Sequence, residues 1–169
     1  GLSSMSHELT KQDIEKMQEE IDYRKITVRQ ELLEHVKTAR AHGDLSENFE
    51  YKAAKKEKNA NESRIRFLER MIKTAVIISD ETPDDQIGMN KEVTVEFCDD
   101  HSEETYSIVS TMRENSLKGL ISIESPVGKA LMGHKVGDTV TVVVNDKVSY
   151  DVIVKKIDVM KEDVGLNKF

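Results

Sequence analysis

The sequence predicts a multidomain chain of mixed class: an N-terminal antiparallel α-helical coiled-coil hairpin, then a small α+β domain with an antiparallel sheet and one short helix. Three observations predict it. Residues 10–78 hold no proline and one glycine, Gly43. Nearly all of the β-branched alternation lies outside that stretch. Charge divides at the same place: residues 1–78 carry 15 basic and 14 acidic side chains, whereas residues 79–169 carry 10 and 18. The polar run Ser79–Asp85, with Pro83 inside it, reads as the joint. With the four residues ahead of Met5 set aside, the expected division is a hairpin over 5–78 with an acidic tip at 43–48, a linker over 79–86, the α+β domain over 87–158, and a frayed tail over 159–169.

Each element follows from local chemistry. Thr10-Lys11-Gln12-Asp13 places a hydroxyl three residues before an acid, the pattern of an N-terminal capping box. Ile14, Met17, Ile21 and Val28 follow at heptad spacing with Arg24 interrupting, and Leu32, Val36 and Ala39 continue the face. In the second helix Tyr51, Ala54, Lys58, Asn61, Ile65, Leu68 and Ile72 step alternately by three and four. The polar Lys58 and Asn61 in that seam predict either loose packing or a fixed register. Gly43 breaks the pattern, so each arm is about 30 residues and ~45 Å long. Such a thin object reaches into things better than it encloses a pocket. Beyond the linker, Val93, Val95 and Phe97 alternate, then Tyr106 and Ile108, then Leu120–Ile123, Val140–Val144 and Tyr150–Val154, all read as antiparallel strands. Ser125-Pro126 opens the one short helix, serine as cap and proline at the first helical position, and Gly133 is placed to end it.

Several function classes are excluded. One cysteine, Cys98, allows neither an internal disulfide nor a CxxC zinc site and reads as a packed thiol. The longest apolar run, Ala75–Ile78, is far short of the ~18 residues of a membrane span. Gly1–Ser6 is small and polar with no apolar run after it, so the expectation is a cytoplasmic protein without a leader. A net charge of −7 argues against non-specific coating of nucleic acid. Nucleotide-loop and hydrolase signatures are absent. The five histidines, His7, His35, His42, His101 and His134, form no metal-binding spacing and read as ordinary surface or seam residues.

Chemistry concentrates at the tip. Asp44 and Glu47 have two readings. In one, Asp44 caps the second helix and Glu47 closes a capping box. In the other, both carboxylates project and hold Mg²⁺. Two ligands are too few for a closed site, so they would complete one supplied by another protein, as in two-metal phosphoryl chemistry. Next to them, Lys52, Lys55 and Lys56 are helical neighbours with no acid four residues before any of them. That is either a solvated face or a small phosphate patch, which Arg40 from the facing helix extends. Phe49 and Tyr51 read as tip and seam packing.

Gly43-Asp44-Leu45-Ser46-Glu47-Asn48, followed by Glu50-Tyr51 and Ala53-Ala54-Lys55, closely resembles the tip signature of the bacterial Gre transcript-cleavage (transcription elongation) factors. Ile121–Gly133 and Val136-Gly137-Asp138 look like that family's FKBP-like C-terminal domain. The resemblance implies a factor, not an enzyme, whose coiled coil enters the secondary channel of RNA polymerase. There the polymerase hydrolyses the backtracked nascent RNA, and Asp44 and Glu47, as the catalytic tip acids, help hold its second Mg²⁺. The implied partners are the polymerase, with its channel rim helices, and the RNA 3′ end; no membrane is involved, no cofactor is stably bound, and the factor is a monomer. By position, Arg40 and Lys55 match residues that guide the RNA, with Lys52 and Lys56 in the same patch. Ser46, Asn48 and Tyr51 match positions that shape the loop or line the active site. Ser125 and Pro126 match the turn that docks on the rim helices, with Glu124 a neighbouring contact. Phe49 departs from the family's usual alanine, and Ser110–Asn115 replaces a stretch that is usually acidic. An FKBP-like fold does not by itself imply prolyl isomerase activity. The alternative is a channel-binding inhibitor of the same architecture, against which the intact Asp44…Glu47 pair speaks.

Overall fold

The computed structural model describes residues 6–43, 48–161 and 164–168. They form two units, Ile14–Ala75 on one side and His7–Asp13 with Val76–Lys168 on the other.

The first unit is the helical hairpin. Its first arm contains α1 (Lys11–Tyr23, of which Lys11–Asp13 belong to the second unit), a π turn (Arg24–Val28) and α2 (Arg29–Arg40), and its second arm is α3 (Phe49–Thr74). Met17 and Ile21 on α1 and Ile65 and Leu68 on α3 are buried as the spacing predicts, but after Leu68 it is Met71, not the expected Ile72, that is buried, and Ile14 is only half-buried. The π turn lies where Arg24 breaks the heptads, and its extra residue absorbs the change of phase. It brings a polar layer into the seam. Arg24 donates from Nε to Glu20 Oε2 at 2.7 Å and from Nη1 to Asn61 Oδ1 at 2.9 Å. Asn61 Nδ2 donates in return to the Arg24 carbonyl at 3.3 Å. Arg64 grips both oxygens of Glu20, at 2.7 and 3.1 Å, and Arg29 does the same to Glu62 at 3.0 and 2.8 Å. Of the two expectations for the polar seam, the structure carries fixed register: the buried Asn61 can satisfy both ends of its amide at one sliding position only.

The second unit is built on a five-stranded sheet of order β5-β4-β3-β7-β6. The strands are β3 (Lys91–Phe97), β4 (Glu103–Val109), β5 (Leu120–Ser122), β6 (Thr139–Val143) and β7 (Ser149–Val159). A separate pair, β1 (Glu8–Leu9) and β2 (Val76–Ile77), runs parallel. One sheet face carries Val93, Val95, Ile108, Val140, Val142, Val152 and Val154, with Leu131 of the helix α4 (Pro126–Leu131) in the same cluster.

The expectation of an all-antiparallel sheet is corrected. β5 pairs with β4 in parallel, Ser107 opposite Leu120. The cause is the connection: residues 110–119 contain two 3₁₀ turns and carry the chain back to Ser107, so that β5 runs alongside the last three residues of β4, whereas antiparallel neighbours need only a tight hairpin. The capping box at the head of α1 forms as predicted, Thr10 N to Asp13 Oδ2 at 2.9 Å and Asp13 N to Thr10 Oγ1 at 3.1 Å. The second oxygen of Asp13 accepts from Arg113 Nε, and Arg113 Nη1 also donates to the Val164 carbonyl. Asn167 N adds a bond of 2.6 Å to the Met112 carbonyl. Within Ser79–Asp85, the Pro83 carbonyl accepts from Lys91 Nζ at 2.9 Å and from Gln86 N at 3.1 Å. No helix among the described residues is long and apolar enough to cross a membrane.

Candidate functional site

The ends of α2 and α3 frame the tip. Asp44, Ser46 and Glu47 lie outside the described residues; the flanks that hold them do not. The cap of α3 is Asn48, whose Oδ1 accepts from Tyr51 N at 3.0 Å. This overturns the reading in which Asp44 is the cap. The side chain one residue before the first helical turn is the one that reaches the free N–H groups, and that residue is Asn48. Asn48 does a second job. Its Nδ2 donates to the Ala39 carbonyl at 2.7 Å, tying the start of α3 to the last turn of α2. Gly43, with φ of 137°, makes the turn in a backbone region that other residues rarely occupy.

Two further ties cross the tip. Arg40 Nη2 donates to the Tyr51 hydroxyl at 3.4 Å, and its guanidinium lies 5.5 Å from the ring centroid. The Arg40 hydrogen bond holds the Tyr51 hydroxyl below its usual phenol range; slight burial opposes this, and the charges of Lys55, Arg40 and Lys58 add to the lowering. His42 Nδ1 lies 3.2 Å from Glu50 Oε2. Lys52, Lys55 and Lys56 are exposed, and among the described residues none of them pairs with a carboxylate. Lys52 Nζ instead lies 5.8 Å from the ring of Phe49, which is 79% exposed. Arg40, Asn48, Tyr51 and the three lysines therefore share one end of the hairpin, with cationic groups at the flanks of the loop. Among the described residues, no group of three His, Cys, Asp or Glu side chains is placed to hold a metal ion.

Glu124, Ser125 and Pro126 belong to the other unit. Ser125 caps α4 as predicted: its Oγ accepts from Gly128 N at 3.1 Å and donates to the Ser122 carbonyl at 2.6 Å. Gly128 is obligatory here, because a Cβ would fall 2.1 Å from that same carbonyl oxygen. Pro126 is exposed. The Glu124 carboxylate turns into its own domain and meets His7 and Thr111. The sequence reads His7 as an ordinary surface or seam residue, whereas it is buried, and gives Thr111 no role. A histidine paired with a glutamate 117 positions away leaves no local signal.

Comparison with known proteins adds the family. Residues 7–77 match the description "Transcription elongation factor, N-terminal", and residues 82–158 match "Transcription elongation factor, GreA/GreB, C-term". The chain belongs to the GreA/GreB transcription elongation factor family. Among its relatives, a protein named transcription elongation factor GreA from Geobacillus kaustophilus is 46% identical over 135 residues, 79% of this chain and 85% of that one. The protein of the same name from Streptococcus sanguinis is 39% identical over 158 residues, 93% of this chain and 98% of that one. Among solved structures, that of GreA factor homolog 1 (Gfh1) from Thermus thermophilus is 29% identical. The match covers 90% of this chain and 99% of that one, with a TM-score of 0.42.

Proposed function

We propose that this chain is a transcript-cleavage factor for bacterial RNA polymerase. The hairpin enters the secondary channel, and the polymerase, not this chain, hydrolyses the backtracked RNA and frees a new 3′ end. Asp44 and Glu47 supply carboxylate ligands to a Mg²⁺ ion that the polymerase also holds. Two carboxylates are too few for a closed site and fit an ion shared with the polymerase. The ion would activate the attacking water and neutralise charge on the phosphodiester. The chain's own contribution is placement. Asn48 and Gly43 set the loop, and Arg40, Lys52, Lys55 and Lys56 offer cations to the RNA phosphates. Ser125 and Pro126 sit on the turn that docks at the channel rim.

The observation that supports this reading most is the cap. Asn48, not Asp44, is the N-cap of α3 and accepts from Tyr51 N, so the N-cap role does not explain the acid at 44. The test is a stalled, backtracked elongation complex with 3′-labelled RNA and Mg²⁺. Wild type is expected to speed release of 3′ fragments, while Asp44→Asn/Glu47→Gln binds without doing so. A wild type that binds and slows both cleavage and synthesis would instead identify a channel-blocking inhibitor.

A further inference from the structure

The turn that carries Ser125 and Pro126 rests on a closed polar knot. Glu124 Oε2 lies 2.8 Å from His7 Nδ1 and accepts from Thr111 Oγ1 at 2.5 Å. Thr111 Oγ1 lies 2.8 Å from Ser122 Oγ, which in turn accepts from Glu124 N at 3.0 Å. His7 is 4% exposed, and Thr111 and Ser122 are equally buried; the Glu124 side chain keeps 24% of its surface. Taking an imidazole and a carboxylate out of water is costly unless both are held in place by partners. Here the partners come from three separate parts of the chain: the strand β1 side at His7, the 3₁₀ turn Thr111–Arg113, and the end of β5 at Ser122. Together they fix the backbone immediately ahead of Ser125.

Two of the expected docking residues already hold partners inside their own domain. Glu124 faces His7 and Thr111, and the Ser125 hydroxyl faces Ser122 and Gly128. Of the three, Pro126 is exposed, whereas Glu124 and Ser125 are half-buried. We propose that Glu124 is a positioning residue in polymerase docking, held by His7 and Thr111, and that the contact itself is made by Pro126 on the turn they fix. The inference rests on the function proposed above. It gives work to His7 and to Thr111, which has no role in the tip chemistry.

The experiment is the dependence of transcript cleavage on factor concentration, with the full chain and each variant checked for folding by circular dichroism. His7→Ala, Thr111→Val and Glu124→Ala are each expected to raise the half-saturating concentration about three- to tenfold, a range of ~0.7–1.4 kcal/mol. The plateau rate should not change. His7→Ala/Glu124→Ala should be no worse than Glu124→Ala alone. Glu124→Gln keeps an oxygen for both donors and should stay near wild type. The proposal is overturned if Glu124→Ala weakens docking by the same factor with and without His7, or if Glu124→Gln is as weak as Glu124→Ala. Either result makes Glu124 a direct charged contact. If wild type neither binds polymerase nor stimulates cleavage, it is the proposed function that fails. A double-mutant cycle on the unfolding of the free protein then still reads the His7–Glu124 coupling, and additivity would refute the brace itself.

Discussion

Replacing Asn48 tests how the tip is held. Its amide makes two bonds, the cap to Tyr51 N at 3.0 Å and the tie to the buried Ala39 carbonyl at 2.7 Å. A lost cap costs about 1 kcal/mol. A lost bond to a buried carbonyl costs about 1 kcal/mol more. Asn48→Ala thus loses about 2 kcal/mol of local stability at the head of α3. Asn48→Ser keeps a capping oxygen but is too short to reach across to Ala39, so it loses about half of that. The assay is native-state amide exchange at Tyr51. Protection should drop roughly 30-fold for alanine and roughly fivefold for serine, since about 1.4 kcal/mol is a factor of ten. Transcript cleavage should fall in the same order with polymerase binding retained, because the loop ends are no longer tied. Serine behaving as wild type in both assays would refute the reasoning, for then the reach to Ala39 carries no weight.

Three other outcomes follow from the packing. Arg113→Met strands the buried Asp13 carboxylate and should cost about 3–5 kcal/mol, read as a lower denaturant midpoint; a change under about 1 kcal/mol would show that the pair is not buried in solution. Gly128→Ala drives a methyl into the Ser122 carbonyl and should destabilise by more than the roughly 1–3 kcal/mol of ordinary overpacking; thermal unfolding indistinguishable from wild type would contradict the close approach. Glu20 is pushed upward by burial, but its hydrogen bonds and charge contacts with Arg64 and Arg24 outweigh this and leave its pKa below the usual 4.5. A depressed carboxylate stabilises the fold above its unfolded pKa and loses that contribution as pH falls through the folded one. The hairpin should therefore weaken on acidification below about pH 4.5, and Glu20→Gln should flatten that slope in helix melting followed by circular dichroism. An unchanged slope would remove Glu20 from the account.

Much of this architecture was legible in the sequence because its signals are local. The Thr10–Asp13 box, the Ser125-Pro126 cap and the proline-free hairpin each depend on residues within one or two turns of one another. The tip motif was legible too, as a run of neighbours. What escaped depends on distance. Arg24 looked like a flaw in the heptads, but a π turn and Asn61, 37 positions away, make it a register device. The parallel pairing of β5 with β4 is set by how a ten-residue connection folds back, which strand propensity does not encode. Glu124 read as an outward contact because its inward partners, His7 and Thr111, lie in segments that look unremarkable alone. Asp44 and Asn48 both suit a cap, and only the starting point of α3 chooses between them.

The tip is proposed to lend carboxylates to a metal ion in another protein's active site. The most direct measurement is the Mg²⁺ dependence of transcript cleavage in a backtracked complex saturated with factor. Wild type should lower the Mg²⁺ concentration needed for half-maximal cleavage relative to polymerase alone. Asp44→Asn or Glu47→Gln should return it toward that of polymerase alone, with excess Mg²⁺ restoring part of the rate. If wild type raises the rate while every one of these proteins shows the same Mg²⁺ dependence, the acids act by some route other than the metal, and the account is wrong.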